Sequence, residues 1–116
     1  MNSNYKNVWL VFVQIIPEIN YSFEELIESD KEIEEKYTGA WANLLVKADT
    51  INEALEIVPQ GLKEKFFKVV CIDKIENVQS LFEYEDIDFD VLKEIDWLLS
   101  TDYVFMISDK IFPYVE

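Results

Sequence analysis

Asp86, Asp88 and Asp90 stand at alternate positions in the run Glu83-Tyr-Glu-Asp-Ile-Asp-Phe-Asp90. Oxygen donors at this D-x-D-x-D spacing open the loops that hold calcium. The rest of such a loop is missing. Its sixth position is Val91 where a glycine must turn the chain, and its twelfth is Trp97 where a bidentate glutamate is needed. The spacing reads instead as an acidic entry to a helix, with Asp88 as N-cap and the other carboxylates near the positive end of the helix dipole. Acid/base chemistry by paired carboxylates meets a similar lack. There are 24 acidic residues, so close pairs arise by chance, yet the chain has no histidine to shuttle protons near neutral pH. All 10 basic residues are lysine, so the bidentate clamp that arginine offers to phosphate or carboxylate is missing as well. One cysteine without histidine does not make an ordinary zinc site. We expect no enzyme, no cofactor and no metal centre.

The same inventory suits a binding protein. The formal charge of −14 repels nucleic acid and anionic membranes and attracts a basic protein partner. The acids fall in two blocks, eight within residues 18–35 and seven within 83–96, each with a single lysine. Charge of this kind steers a partner, whereas large aromatics anchor it. Trp41, Tyr84 and Trp97 are the candidate anchors. Glu28, Asp30, Glu32, Glu85, Asp86, Asp88 and Asp90 are the candidate steering acids. Cys71 lies in the apolar run Phe67-Lys-Val-Val-Cys-Ile72, which predicts a buried, inert thiol.

The elements that must position these residues are set by hydrophobic period. Val8 to Ile16 is apolar on both faces and predicts a central strand ended by Pro17. Ser22 and Glu25 form a capping box that opens a helix over 22–36. Residues 40–48 alternate. Ala42, Leu44, Val46 and Ala48 share one apolar face, and Trp41, Asn43, Leu45 and Lys47 share a mixed one. Thr50 and Glu53 form a second capping box, with Ile51, Ala54, Leu55, Val58 and Leu62 at helical spacing after it. This strand-to-helix junction has no glycine, so its backbone cannot cradle a dinucleotide or a nucleoside triphosphate. Pro59 and Gly61 should kink or end the helix. Phe66 to Ile72 predicts a third strand, with Asp73 to Ser80 extending it or bulging. Val91, Leu92, Ile95, Leu98 and Leu99 give a helix after Asp88. Tyr103 to Ile107 gives a last strand, and 111–115 a tail at a sheet edge.

This order describes a single α+β domain over residues 1–116. The mixed face of 40–48 favours a ferredoxin-like open-faced sandwich, a four-stranded sheet with two to three helices; the alternative is a small three-layer α/β sheet. No apolar run reaches the length of a membrane span, and neither a secretory leader nor a disulfide pair is evident, so we expect a cytoplasmic protein.

The stretch 40–72, with Asn43 in its strand, the junction Ala48-Asp-Thr50 and the helix Glu53-Ala-Leu-Glu-Ile-Val58, resembles a pattern in small bacterial α+β proteins. In size and acidity the chain resembles immunity proteins of bacterial polymorphic toxin systems. That resemblance implies a cytoplasmic inhibitor that binds one cognate basic toxin, such as a nuclease. It assigns no residue a role. The alternative is a small ligand-binding module, or a homodimer formed through the open sheet face.

Overall fold

The computed structural model describes residues 3–18, 38–84 and 87–115. A 3-10 turn, Ser3–Asn7, leads into β1 (Val8–Pro17). Next come β2 (Gly39–Lys47), α1 (Ile51–Glu64), β3 (Phe67–Asn77), the short α2 (Val78–Glu83), α3 (Phe89–Leu99) and β4 (Phe105–Tyr114). The helix expected over 22–36, with its Ser22 capping box, lies outside the described residues.

The strands form one sheet in the order β3-β1-β2-β4, and every neighbouring pair is antiparallel. β1 therefore separates β2 from β3, which run parallel to each other. The unit β2-α1-β3 is a β-α-β crossover with an antiparallel strand inserted between its two strands. This placement accounts for the double apolar character of β1, which has a strand on each side and apolar contacts on each face.

One face carries the larger core. Val11, Val13 and Ile15 of β1 and Ala40, Ala42, Leu44 and Val46 of β2 meet Ala54, Val58 and Leu62 of α1. Thr50 caps α1, its hydroxyl oxygen accepting from the Glu53 N–H at 3.2 Å. The opposite face carries a second core at one end only. There Val8 and Leu45 pack with Tyr5, with Val78 of α2 and with Val91, Ile95 and Leu98 of α3, while Leu10 and Met106 lie against the cluster.

Helices on both faces replace the expected ferredoxin-like arrangement. That arrangement keeps its helices on one face, and here Val8, Leu45 and Met106 are apolar on the other and require cover. The α+β class and the four-stranded sheet stand; the strand order and the layering differ. Three local expectations also change. Helix α1 runs through Pro59 and Gly61 to Glu64, because Gly61 and Leu62 are buried and their packing continues the helix past the lost proline N–H. The strand at 103–107 and the tail at 111–115 are one strand, β4, joined through a bulge. Cys71 is exposed rather than buried. Its strand bulges between the Gln14↔Cys71 and Ile15↔Val69 pairs, so the extra residue Val70 breaks the alternation. Val69 stays with the larger core while Cys71 faces the other way, its thiol 3.6 Å from Gln14 Oε1.

Gly61 gives a test in which two effects oppose each other. Alanine is worth about 1 kcal/mol more than glycine inside a helix. A Cβ at position 61 would however sit 2.5 Å from Cγ of the Phe105 ring. Overpacking of this kind costs about 1–3 kcal/mol. Gly61→Ala should therefore lower the urea midpoint, and in a Phe105→Leu background the same change should cost less or become stabilising. A Gly61→Ala protein more stable than the parent would show that α1 does not press on β4 as described.

Candidate partner-binding surface

Among the described residues, the helical cover on the second face stops partway along the strands. Beyond Leu10, Leu45 and Met106 the outward rows hold Phe12, Asn43 and Lys74, and then Gln14, Trp41, Phe112 and Cys71. The Phe12 and Trp41 rings meet diagonally across β1 and β2, stacked with centroids 5.4 Å apart and planes 14° apart. Phe112 is the cross-strand neighbour of Trp41 and is 56% exposed. Asp73 joins them through a bulge. Phe12 pairs with Lys74 and Val13 with Ile72, which leaves Asp73 as the extra residue. Phe12, Trp41, Phe112 and Asp73 line an open groove of about 340 Å³. A second groove of about 250 Å³ shares Phe12 and continues over Leu10, Asn43, Lys74 and Glu76. Within it the Lys74 ammonium lies 3.0 Å from Glu76.

Polar groups fix the borders of this aromatic floor. On one side Tyr114 crosses over Gly39, where any Cβ would meet its hydroxyl oxygen at 2.5 Å. That hydroxyl accepts from Gln14 Nε2 at 2.6 Å. On the other side β4 bulges at Ser108–Lys110, and α3 organises the bulge. Glu94 accepts from the Ser108 hydroxyl at 2.6 Å and from the Asp109 N–H at 2.9 Å. Asn43 Nδ2 donates to the Lys110 carbonyl at 2.9 Å. The Lys110 ammonium then lies 3.5 Å from Asp88 and 3.7 Å from Asp90. Asp88 also caps α3, its Oδ1 accepting from the Asp90 N–H at 2.9 Å.

The sequence-predicted residues thus divide. Trp41, Asp88 and Asp90 come to one region, linked through Asn43 and Lys110. Trp97 is 51% exposed and stacks on Tyr103 at 6.2 Å, but it belongs to the far end of α3. Tyr84 is 81% exposed just past α2 and joins neither ring pair. Glu28, Asp30, Glu32, Glu85 and Asp86 lie outside the described residues. Phe12 and Asp73 are not evident from sequence. Phe12 sits in a run that is apolar throughout, and Asp73 enters only through a bulge. Phe112 did carry a signal, since it and Tyr114 fall two positions apart and share one face of the last strand.

Among the described residues no cluster of histidine, cysteine or carboxylate side chains could hold a metal ion, and no helix is long and apolar enough to cross a membrane. No protein-family model, no curated protein and no solved structure matches the chain.

Helix α3 decides where the open region begins, and Tyr5 helps to fix it by donating to Asp96 Oδ1 at 2.6 Å. That hydrogen bond, together with burial and the Asp96 charge, pushes the phenol up to about 12 from its ordinary 10. A pKa higher in the folded state than in the unfolded chain stabilises the fold fully below pH 10, and this contribution fades as pH rises through about 12. The stability difference between the parent and Tyr5→Phe should therefore shrink between pH 10 and 12, as read by urea midpoints. Absorbance at 295 nm should show one phenol titrating late in the parent and missing from the variant. A difference that stays constant across this window would contradict the Tyr5–Asp96 bond.

Proposed function

We propose that the chain is a non-enzymatic binding protein whose basic protein partner docks on the open half of the second sheet face. The observation that carries this reading is the joining of aromatics, Phe112 exposed and Phe12 and Trp41 half-buried, to carboxylates on one surface. Phe12, Trp41 and Phe112 form the floor, Asp73 lies among them, and Asp88 and Asp90 stand at the border. Aromatic side chains that can be desolvated at the centre of a contact supply affinity, and charges at its rim supply rate and selectivity. The net charge of −14 extends the same preference over long range.

In its most specific form the partner is a bacterial toxin with a cationic surface, such as a nuclease, and the chain acts in the cytoplasm as an immunity-type inhibitor. A surface built to hold nucleic acid is basic, so an acidic protein can occupy it and block access. Support for this form is the chain's size and acidity together with the acidic border of the groove. Homodimer formation through the same face is the second reading, and it draws on the exposure of Phe112.

The test is affinity capture from the source cell's lysate with the parent chain, with Trp41→Ala and with the double variant Asp88→Asn/Asp90→Asn. We expect one stoichiometric basic protein on the parent. Trp41→Ala should lose it, and the double variant should slow its association at low salt while changing little at high salt. A partner retained in full by Trp41→Ala would place the contact elsewhere. A stable dimer in sedimentation that Trp41→Ala dissociates would assign the face to a second copy.

A further inference from the structure

The groove between Phe12, Trp41, Phe112 and Asp73 has a chemistry narrower than a general docking surface. Of its four described lining residues three are aromatic and one is a carboxylate. Aromatic faces carry negative potential and attract cations, tryptophan most of all. The Phe12 and Trp41 rings lie nearly parallel, 14° apart with centroids 5.4 Å apart, and so form one continuous aromatic stack beside Asp73. Asp73 supplies a localised negative charge, and the β3 bulge places it on the same side as Phe12. A planar cation fits both features. Guanidinium stacks on aromatic faces, is less strongly hydrated than ammonium and presents a fork of donors that matches a carboxylate.

We propose that this groove is a subsite for an arginine side chain of a basic protein partner. The inference rests on the reading that the open face is the binding surface, and it adds the group that face selects. The chain holds no arginine, so a second copy of itself cannot supply the ligand. The neighbouring groove differs in kind, because it already contains Lys74 beside Glu76. The exposed Trp97–Tyr103 pair provides an internal control, since it is a stacked aromatic pair with 6.2 Å between centroids at the far end of α3.

The experiment uses the full chain labelled with 15N and three probes at fixed ionic strength. The probes are N-acetyl-arginine amide, its neutral isostere N-acetyl-citrulline amide, and N-acetyl-lysine amide. The indole N–H signals of Trp41 and Trp97 are assigned from Trp41→Phe and Trp97→Phe. The arginine probe should move the Trp41 signal saturably, with a dissociation constant on the order of millimolar. Citrulline should bind at least about five-fold more weakly, lysine should fall between them, and Trp97 should stay in place. Asp73→Asn should weaken arginine binding about five-fold while leaving the remaining backbone signals unmoved, which separates loss of the charge from loss of the fold.

Equal response to arginine and citrulline would overturn the proposal. So would shifts of equal size at Trp41 and Trp97, or an Asp73→Asn protein that binds arginine as the parent does. The two readings fail separately. If arginine does not bind yet Trp41→Ala still loses the captured partner, the face stands and the subsite falls. If arginine binds as described while Trp41→Ala keeps its partner, the subsite stands and the proposed docking face falls.

Discussion

Helix α3 is held to the sheet by polar contacts along its length, and its position sets what the second face can do. Lys47 at the end of β2 sends its ammonium to the Leu98 and Thr101 carbonyl oxygens, at 3.1 and 2.6 Å. A cation there satisfies carbonyls that a helix C-terminus leaves without partners and offsets its negative dipole end. At the N-terminus Asp88 and Asp90 favour the positive end and share Lys110 of β4. Between them Glu94 holds the Ser108–Lys110 bulge, and Asp96 accepts from Tyr5. These bonds reach β2, β4 and the N-terminal turn, so α3 cannot slide along the sheet without breaking several at once.

The consequence, among the described residues, is a limit on cover. α2 and α3 have 6 and 11 residues, whereas β1 has 10. A helix is about 10 Å across with its side chains, and a ten-residue strand is about 33 Å long. The two short helices bury Val8, Leu45 and their neighbours, and beyond them the aromatic rows begin. The larger core on the other face lets this happen, because α1 closes it with Ala54, Val58 and Leu62 and the fold does not depend on the second face alone. Bulges then shape the rows beyond these helices. One brings Asp73 beside Phe12, another brings Cys71 beside Gln14, and the third carries Lys110 to the α3 acids.

Much of this framework was legible because it obeys simple periods. The run at 8–16 identified β1 as central. The alternation at 40–48 separated Ala42, Leu44 and Val46 from Trp41 and Asn43, as the buried positions show. Thr50 and Asp88 announced their helices as caps. The layering was less legible, since Leu45 and Met106 reveal their need for cover only once they share a face. The groove was least legible. An extra residue in a strand flips every side chain after it, and nothing in the letters Cys71-Ile-Asp-Lys74 says where the pairing slips. Trp41 could be singled out from its strand, but its companions Phe12, Asp73 and Phe112 come from three other strands through pairing that no local pattern encodes.

Among the described residues, the rows beyond α3 have no helix over them, whereas those beneath it do. Paramagnetic relaxation by a soluble gadolinium chelate, read on the labelled chain, tests it most directly. Strong enhancement is expected for the side-chain protons of Phe112, intermediate enhancement for the half-buried Trp41 and Phe12, and weak enhancement for Leu45 and Ile95 under the helix. Protection of Trp41 and Phe12 equal to that of Leu45 would contradict it, because the face would then be covered and closed to any partner.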